Sequence, residues 1–153
     1  MQPLRGFSAF SLALAIAILP AGAQAPAGAV ADGRPLVTIK ELMEKTITPA
    51  TNTLWNVPEK PTDEEWAALE EAAVTLLVAT HVTALGGTGP MDNDWAKQPA
   101  WKAFNQAMLN AGTMALAAVR SRDTEALIAS GDVLYPPCEG CHSQFNPGVV
   151  DTQ

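Results

Sequence analysis

Both cysteines of the chain fall within five consecutive residues near its C-terminal end, Cys138-Glu139-Gly140-Cys141-His142, together with one of its two histidines. On a helix, positions i, i+3 and i+4 share one face. Two thiols at that spacing can bond the two vinyl groups along one edge of a porphyrin, and the next side chain, His142, can reach under the ring to the iron. The string is therefore read as an attachment site for c-type haem. Other chemistries use the same residue types. A Cys-x-x-Cys pair can close a disulfide in an exported protein, or exchange thiols for disulfides. A redox site of that kind follows a strand in a βαβ unit, however, and no stretch of this chain alternates as a strand does. Zinc asks for four ligands, and with only His81 left elsewhere the set falls short unless carboxylates join it.

The elements that must position these residues read as four helices. The first runs from about Leu36 to Val57, with Leu36, Ile39, Met43, Ile47, Ala50, Leu54 and Val57 on one narrow stripe and Met43 in its middle. Pro49 lies inside it and crowds the carbonyl of Lys45, so a bend is expected there. The second opens at Thr62 with Glu65 in the capping-box position, buries Trp66, Leu69, Ala73, Leu77 and Ala84, and stops at Gly86-Gly87. "GGTGPMDNDWAKQ" then reads as a long polar loop unless Trp95 pins it to the body. Pro99 suits the first turn of a third helix, whose stripe is Trp101, Phe104, Met108, Ala111, Gly112, Ala115 and Val119. The fourth starts near Asp123 and carries Leu127, Gly131, Leu134, Cys138, Cys141 and Phe145 on its apolar side. The cysteines continue that stripe only if the helix keeps its phase through Pro136-Pro137, where a kink or a restart at Pro137 is expected. Short links and one long loop describe an all-α, antiparallel four-helix bundle.

Ahead of the helices, Arg5, an apolar run from about Phe7 to Leu19, Pro20 and small residues have the layout of a secretory signal peptide. Cleavage is expected after Ala23, with Ala25 as the alternative, leaving residues 24–35 as a disordered lead to a domain over 36–150. The run is short for a membrane span, so the mature protein is expected to be periplasmic with none. The chain has 16 Asp and Glu against 9 Lys and Arg. That balance argues against nucleic acid and suits partners with basic faces. No Ser-His-Asp set, nucleotide-type glycine loop or metal-spaced carboxylate cluster is visible, and the chain is not expected to be an enzyme.

A haem-attachment string close to the C-terminus, preceded by "DTEALIASGDVLYPPCEGCHSQF", resembles the class II c-type cytochromes, the cytochrome c′ and cytochrome c-556 families. The resemblance spans the mature chain in pattern. It is specific in about its last twenty residues and loose in "IKELMEKTITPATNTLW". It implies one covalent haem c on Cys138 and Cys141, iron held by His142, and a haem contact from Phe145. It also implies that the first helix supplies the far side of the haem: a methionine in six-coordinate members, a nonligating bulky residue in five-coordinate ones. Met43 is the residue that matches. Met108 competes from the third helix; Met91 falls in the loop and Met114 on an outer face. Tyr135, Trp66, Trp101 and Phe104 read as haem-pocket wall or core. Where the class often has a cation after the aromatic, this chain has Asn146 and Pro147. The implied function is electron transfer by a His/Met-ligated monohaem carrier; the alternative is a five-coordinate, cytochrome c′-like binder of nitric oxide. The class often dimerises through its first two helices, and Trp55 and Trp95 are candidates for a homodimer contact.

Overall fold

The structure, a computed structural model, describes residues 33 and 35–146. The expected signal peptide and most of the lead lie outside the described residues. All regular structure among the described residues is helical, in agreement with the all-α expectation.

The first helical run starts at Ile39, three residues later than the stripe suggested. Thr38 caps it: its hydroxyl accepts from the Glu41 backbone N–H, and the Glu41 carboxylate accepts from the Thr38 backbone N–H at 2.8 Å. The Thr38 backbone N–H and the Thr38 hydroxyl, both donating to it, hold the Glu41 carboxyl below its usual range. Leu36 and Val37 precede the cap and are exposed. The run has three parts: α1 (Ile39–Leu42), a π-helical segment (Met43–Ile47) and α2 (Thr48–Trp55). In the π segment the Thr48 N–H donates to the Met43 carbonyl, five residues back. The irregularity expected at Pro49 thus falls in the turn before it. A proline in the first turn of α2 needs no N–H partner, and the widened turn upstream relieves its crowding of the Lys45 carbonyl.

Helix α3 (Asp63–Ala84) has the expected capping box of Thr62 and Glu65 and ends before Gly86, whose φ of 97° suits only glycine. Its buried arc is wider than the expected stripe, because the first helical run and α5 both lean on it. Leu76, Ala79, Thr80 and Thr83 are buried in its second half, while Leu77 and Ala84 are only half-buried. The expected polar loop contains a short helix, α4 (Asp92–Lys97), and Trp95 does pin it, stacking on Trp101 with ring centroids 5.8 Å apart.

Helix α5 (Pro99–Ser121) opens at its proline as expected. Helix α6 (Thr124–Phe145) is capped by the Asp123 carboxylate, which accepts from the Ala126 N–H at 2.9 Å. No restart occurs at Pro137: α6 is unbroken through both prolines. The carbonyls deprived of donors belong to Asp132 and Val133, both exposed residues, so water can satisfy them. Tyr135, expected in the core, is 50% exposed, since its neighbour Leu134 occupies the inward phase.

Helices α5 and α6 pack along one another, as do α3 and α5, while α2 and the π segment lie on α3. Glu70 pairs with Arg120 at 2.9 Å toward one end of α3, and Thr83 meets Asn105 at 2.6 Å toward the other. The large core gathers around Leu69, Leu76, Met108, Leu127 and Leu134. A second, smaller cluster of Ile39, Trp101 and Cys141 forms beside it.

Candidate functional site

Because α6 keeps its phase through the prolines, Cys138 and Cys141 stand on its inward side, continuing Leu127 and Leu134. Cys141 is 5% exposed and Cys138 half-buried; both are free thiols. Burial pushes the Cys138 thiol up to about 11. Burial, with the neighbouring Cys138, pushes Cys141 up to about 12. Both are therefore protonated at neutral pH, the opposite of the lowered values that activate thiol-exchange sites. Among the described residues no three His, Cys, Asp or Glu side chains gather as a metal set.

Cys138 packs against the large core and Cys141 belongs to the small one. Met43 touches both clusters and is half-buried, so it sits where they meet. Met108 is more deeply buried, whereas Met91 and Met114 are exposed. His142 is half-buried at the inner edge of α6, and His81 is exposed on α3.

An aromatic wall closes the far side. Phe145 lies edge-on to Trp101 at 5.1 Å, to Trp95 at 5.9 Å and to Phe104 at 6.5 Å. The Phe104 ring also rests on Gly140, between the two cysteines, where a Cβ would come within 2.7 Å of it. Trp66, expected as pocket wall or core, is buried in the large core.

Three polar residues without a role in the sequence reading hold this end of the molecule together. The buried Asp92 carboxylate accepts from the backbone N–H groups of Ile39 at 2.9 Å and Gly89 at 2.8 Å, tying the start of α1 to the loop before α4. Asn105 donates to the Trp101 carbonyl at 2.9 Å and accepts from the Thr83 hydroxyl, while the Trp101 indole N–H donates to the Thr83 carbonyl at 3.1 Å. The run of glycines around Asp92 was the available signal: Gly87 and Gly89 leave no room for a Cβ against its carboxylate.

The residues present fit a covalently held porphyrin. Two reduced thiols share a helix face, the imidazole follows them, and a thioether is half-buried at the junction of the two clusters. One buried hydroxyl in the core, that of Thr80, has no hydrogen-bond partner. No protein-family model, curated protein or solved structure matches this chain.

Proposed function

We propose that this chain is an exported monohaem c-type cytochrome of the class II kind, folded as an antiparallel four-helix bundle and working as a periplasmic electron carrier. The observation that carries the reading is the unbroken α6, which sets Cys138 and Cys141 toward the core with His142 next in line. The end-to-end pairings of Glu70 with Arg120 and Thr83 with Asn105 support the antiparallel arrangement.

Bound haem supplies one-electron exchange between ferric and ferrous iron. Cys138 and Cys141 would hold it by thioether bonds, which would prevent its loss outside the cytoplasm, and His142 and Met43 would ligate its iron, a pair that suits both oxidation states. Trp95, Trp101, Phe104 and Phe145 would keep water from the site. Acidic residues outnumber basic ones, which suits redox partners with basic faces.

The test is made on protein exported from a host that matures c-type cytochromes. Its mass should exceed that of the processed chain by one haem, and its oxidised and reduced spectra should be those of low-spin His/Met iron. Met43→Ala should convert the low-spin spectrum to a high-spin, five-coordinate one. A colourless wild type with the bare-chain mass overturns the haem reading. A low-spin spectrum that survives Met43→Ala overturns Met43 as ligand, and a high-spin wild type favours the gas-binding alternative.

A further inference from the structure

The last turn of α2 and the middle of α6 enclose a cleft of about 400 Å³. Ile128, Gly131 and Tyr135 line it from one side of α6, because residues three and four apart share a helix face. Trp55, the last residue of α2, lines it from the other side. Gly131 permits that approach: a Cβ there would stand 3.0 Å from Cδ1 and 3.2 Å from Nε1 of the indole. The floor is Leu54 and Leu127, both buried, yet the walls stay open to solvent, with Trp55 42%, Ile128 57% and Tyr135 50% exposed. A cleft of this size falls in the range of small-molecule sites, and filling it would remove the exposed faces of three large side chains from water.

The charge around the cleft narrows the kind of molecule. Asp132 is the one charged residue that lines it, and none of the ion pairs among the described residues uses that carboxylate. Beside it stand two electron-rich rings, Trp55 and Tyr135, whose faces attract cations. An anion would be repelled by Asp132, and a neutral molecule would gain nothing from it. The cleft is also distinct from the thiol site. Gly131 precedes Cys138 by seven residues, about 10 Å along the helix, and neither cysteine, His142 nor Met43 lines it.

We infer that this cleft is a binding site for a small organic cation, an ammonium group on an apolar body. The ammonium pairs with Asp132, and the body lies between Trp55 and Tyr135 over Leu54 and Leu127. The inference stands apart from the haem reading, since it uses none of the residues that reading assigns.

The experiment titrates the mature exported protein, in about 0.1 M salt so that its overall charge is screened, with 2-phenylethylammonium, 2-phenylethanol and 3-phenylpropionate. The readout is the indole N–H signals in a nitrogen-15 correlation spectrum, the Trp55 signal being the one missing from Trp55→Phe. The Trp55 signal should move with the ammonium compound, which should bind about tenfold more tightly than the alcohol, the combined weight of a surface ion pair and a cation–π contact. The carboxylate should bind least. Asp132→Asn should cut the advantage of the cation over the alcohol to about threefold, whereas Asp94→Asn, which removes the same charge from α4, should leave it unchanged. Equal affinity for cation and alcohol overturns the proposed class of ligand, and so does an equal loss in the two variants. A Trp55 signal that ignores all three compounds overturns the site. So does one that moves only with protein concentration, which would mean that a second copy of the chain covers the cleft.

Discussion

Gly140 has no part in the spacing argument for the cysteines, yet the structure gives it a definite one. A Cβ there would stand 2.7 Å from Cε1 and 3.1 Å from Cζ of Phe104. That ring has little freedom to retreat, because it is half-buried and lies edge-on to Phe145. Two effects oppose one another in Gly140→Ala. Alanine in a helix interior gains about 1 kcal/mol over glycine, while overpacking a filled contact costs about 1–3 kcal/mol. The clash should win. Gly140→Ala is expected to destabilise by about 1 kcal/mol, measured by thermal denaturation, and Phe104→Leu should recover part of the loss in the double variant. An alanine protein as stable as the wild type would mean that the ring moves aside freely. The cysteines and His142 stood out as types at a spacing, and Met43 as the middle of a stripe. Gly140 was not, because its role exists only once α5 brings Phe104 against it.

At the scale of elements, the periodic stripes, the capping box at Thr62 and the cap at Asp123 were readable, because they are local: each needs only residues within one or two turns, whereas the equally local box at Thr38 was hidden by an apolar stripe that runs back to Leu36. What escaped is set by contacts between elements. The six residues of α4 are too few to show a period, and glycines precede them, so they read as loop until Trp95 is seen stacking on Trp101. The π segment escaped as well, since Pro49 announces a disturbance without saying which neighbouring turn absorbs it. Asp92 is the clearest case. Its carboxylate serves two backbone donors, at Ile39 and Gly89, and Ile39 opens the helical run that carries Met43. Asp92→Ala leaves both N–H groups without an acceptor in a buried place, at about 1–3 kcal/mol each. The loss should be about 2–6 kcal/mol, read from chemical denaturation. Asp92→Asn keeps one acceptor oxygen and should cost less. Equal losses for the two would mean that the carboxylate's charge, rather than its acceptor geometry, secures the start of α1.

Across the whole molecule, the acid excess is unevenly spread. Asp63, Glu64, Glu65, Glu70 and Glu71 gather in the first half of α3, away from the cysteines, and only Asp63 and Glu70 among them pair, with Arg122 at 2.7 Å and Arg120 at 2.9 Å. Nearer the thiols, Lys40, Lys97 and Lys102 stand among Glu41, Glu44, Asp94 and Glu139, so the two signs nearly balance, while Lys45 shares a groove with Glu71. The distance over which a redox reagent senses charge then decides what it feels. At about 0.01 M salt the screening length is roughly 30 Å, comparable to the molecule, and an approaching ion meets the full net charge, −7 over the whole sequence and −8 once Arg5 leaves with the proposed signal peptide. At about 0.1 M it is roughly 10 Å, and the ion meets only the balanced surface near the site. Electron exchange with a cationic metal complex should therefore be faster than with an anionic complex of similar potential, by roughly tenfold at the lower salt. The gap should close by about 0.1 M and stay closed. Stopped-flow oxidation of the reduced protein over that range measures it directly. A dependence that stays steep above about 0.1 M would mean that the electron leaves through a locally charged patch rather than through the balanced surface near the thiols.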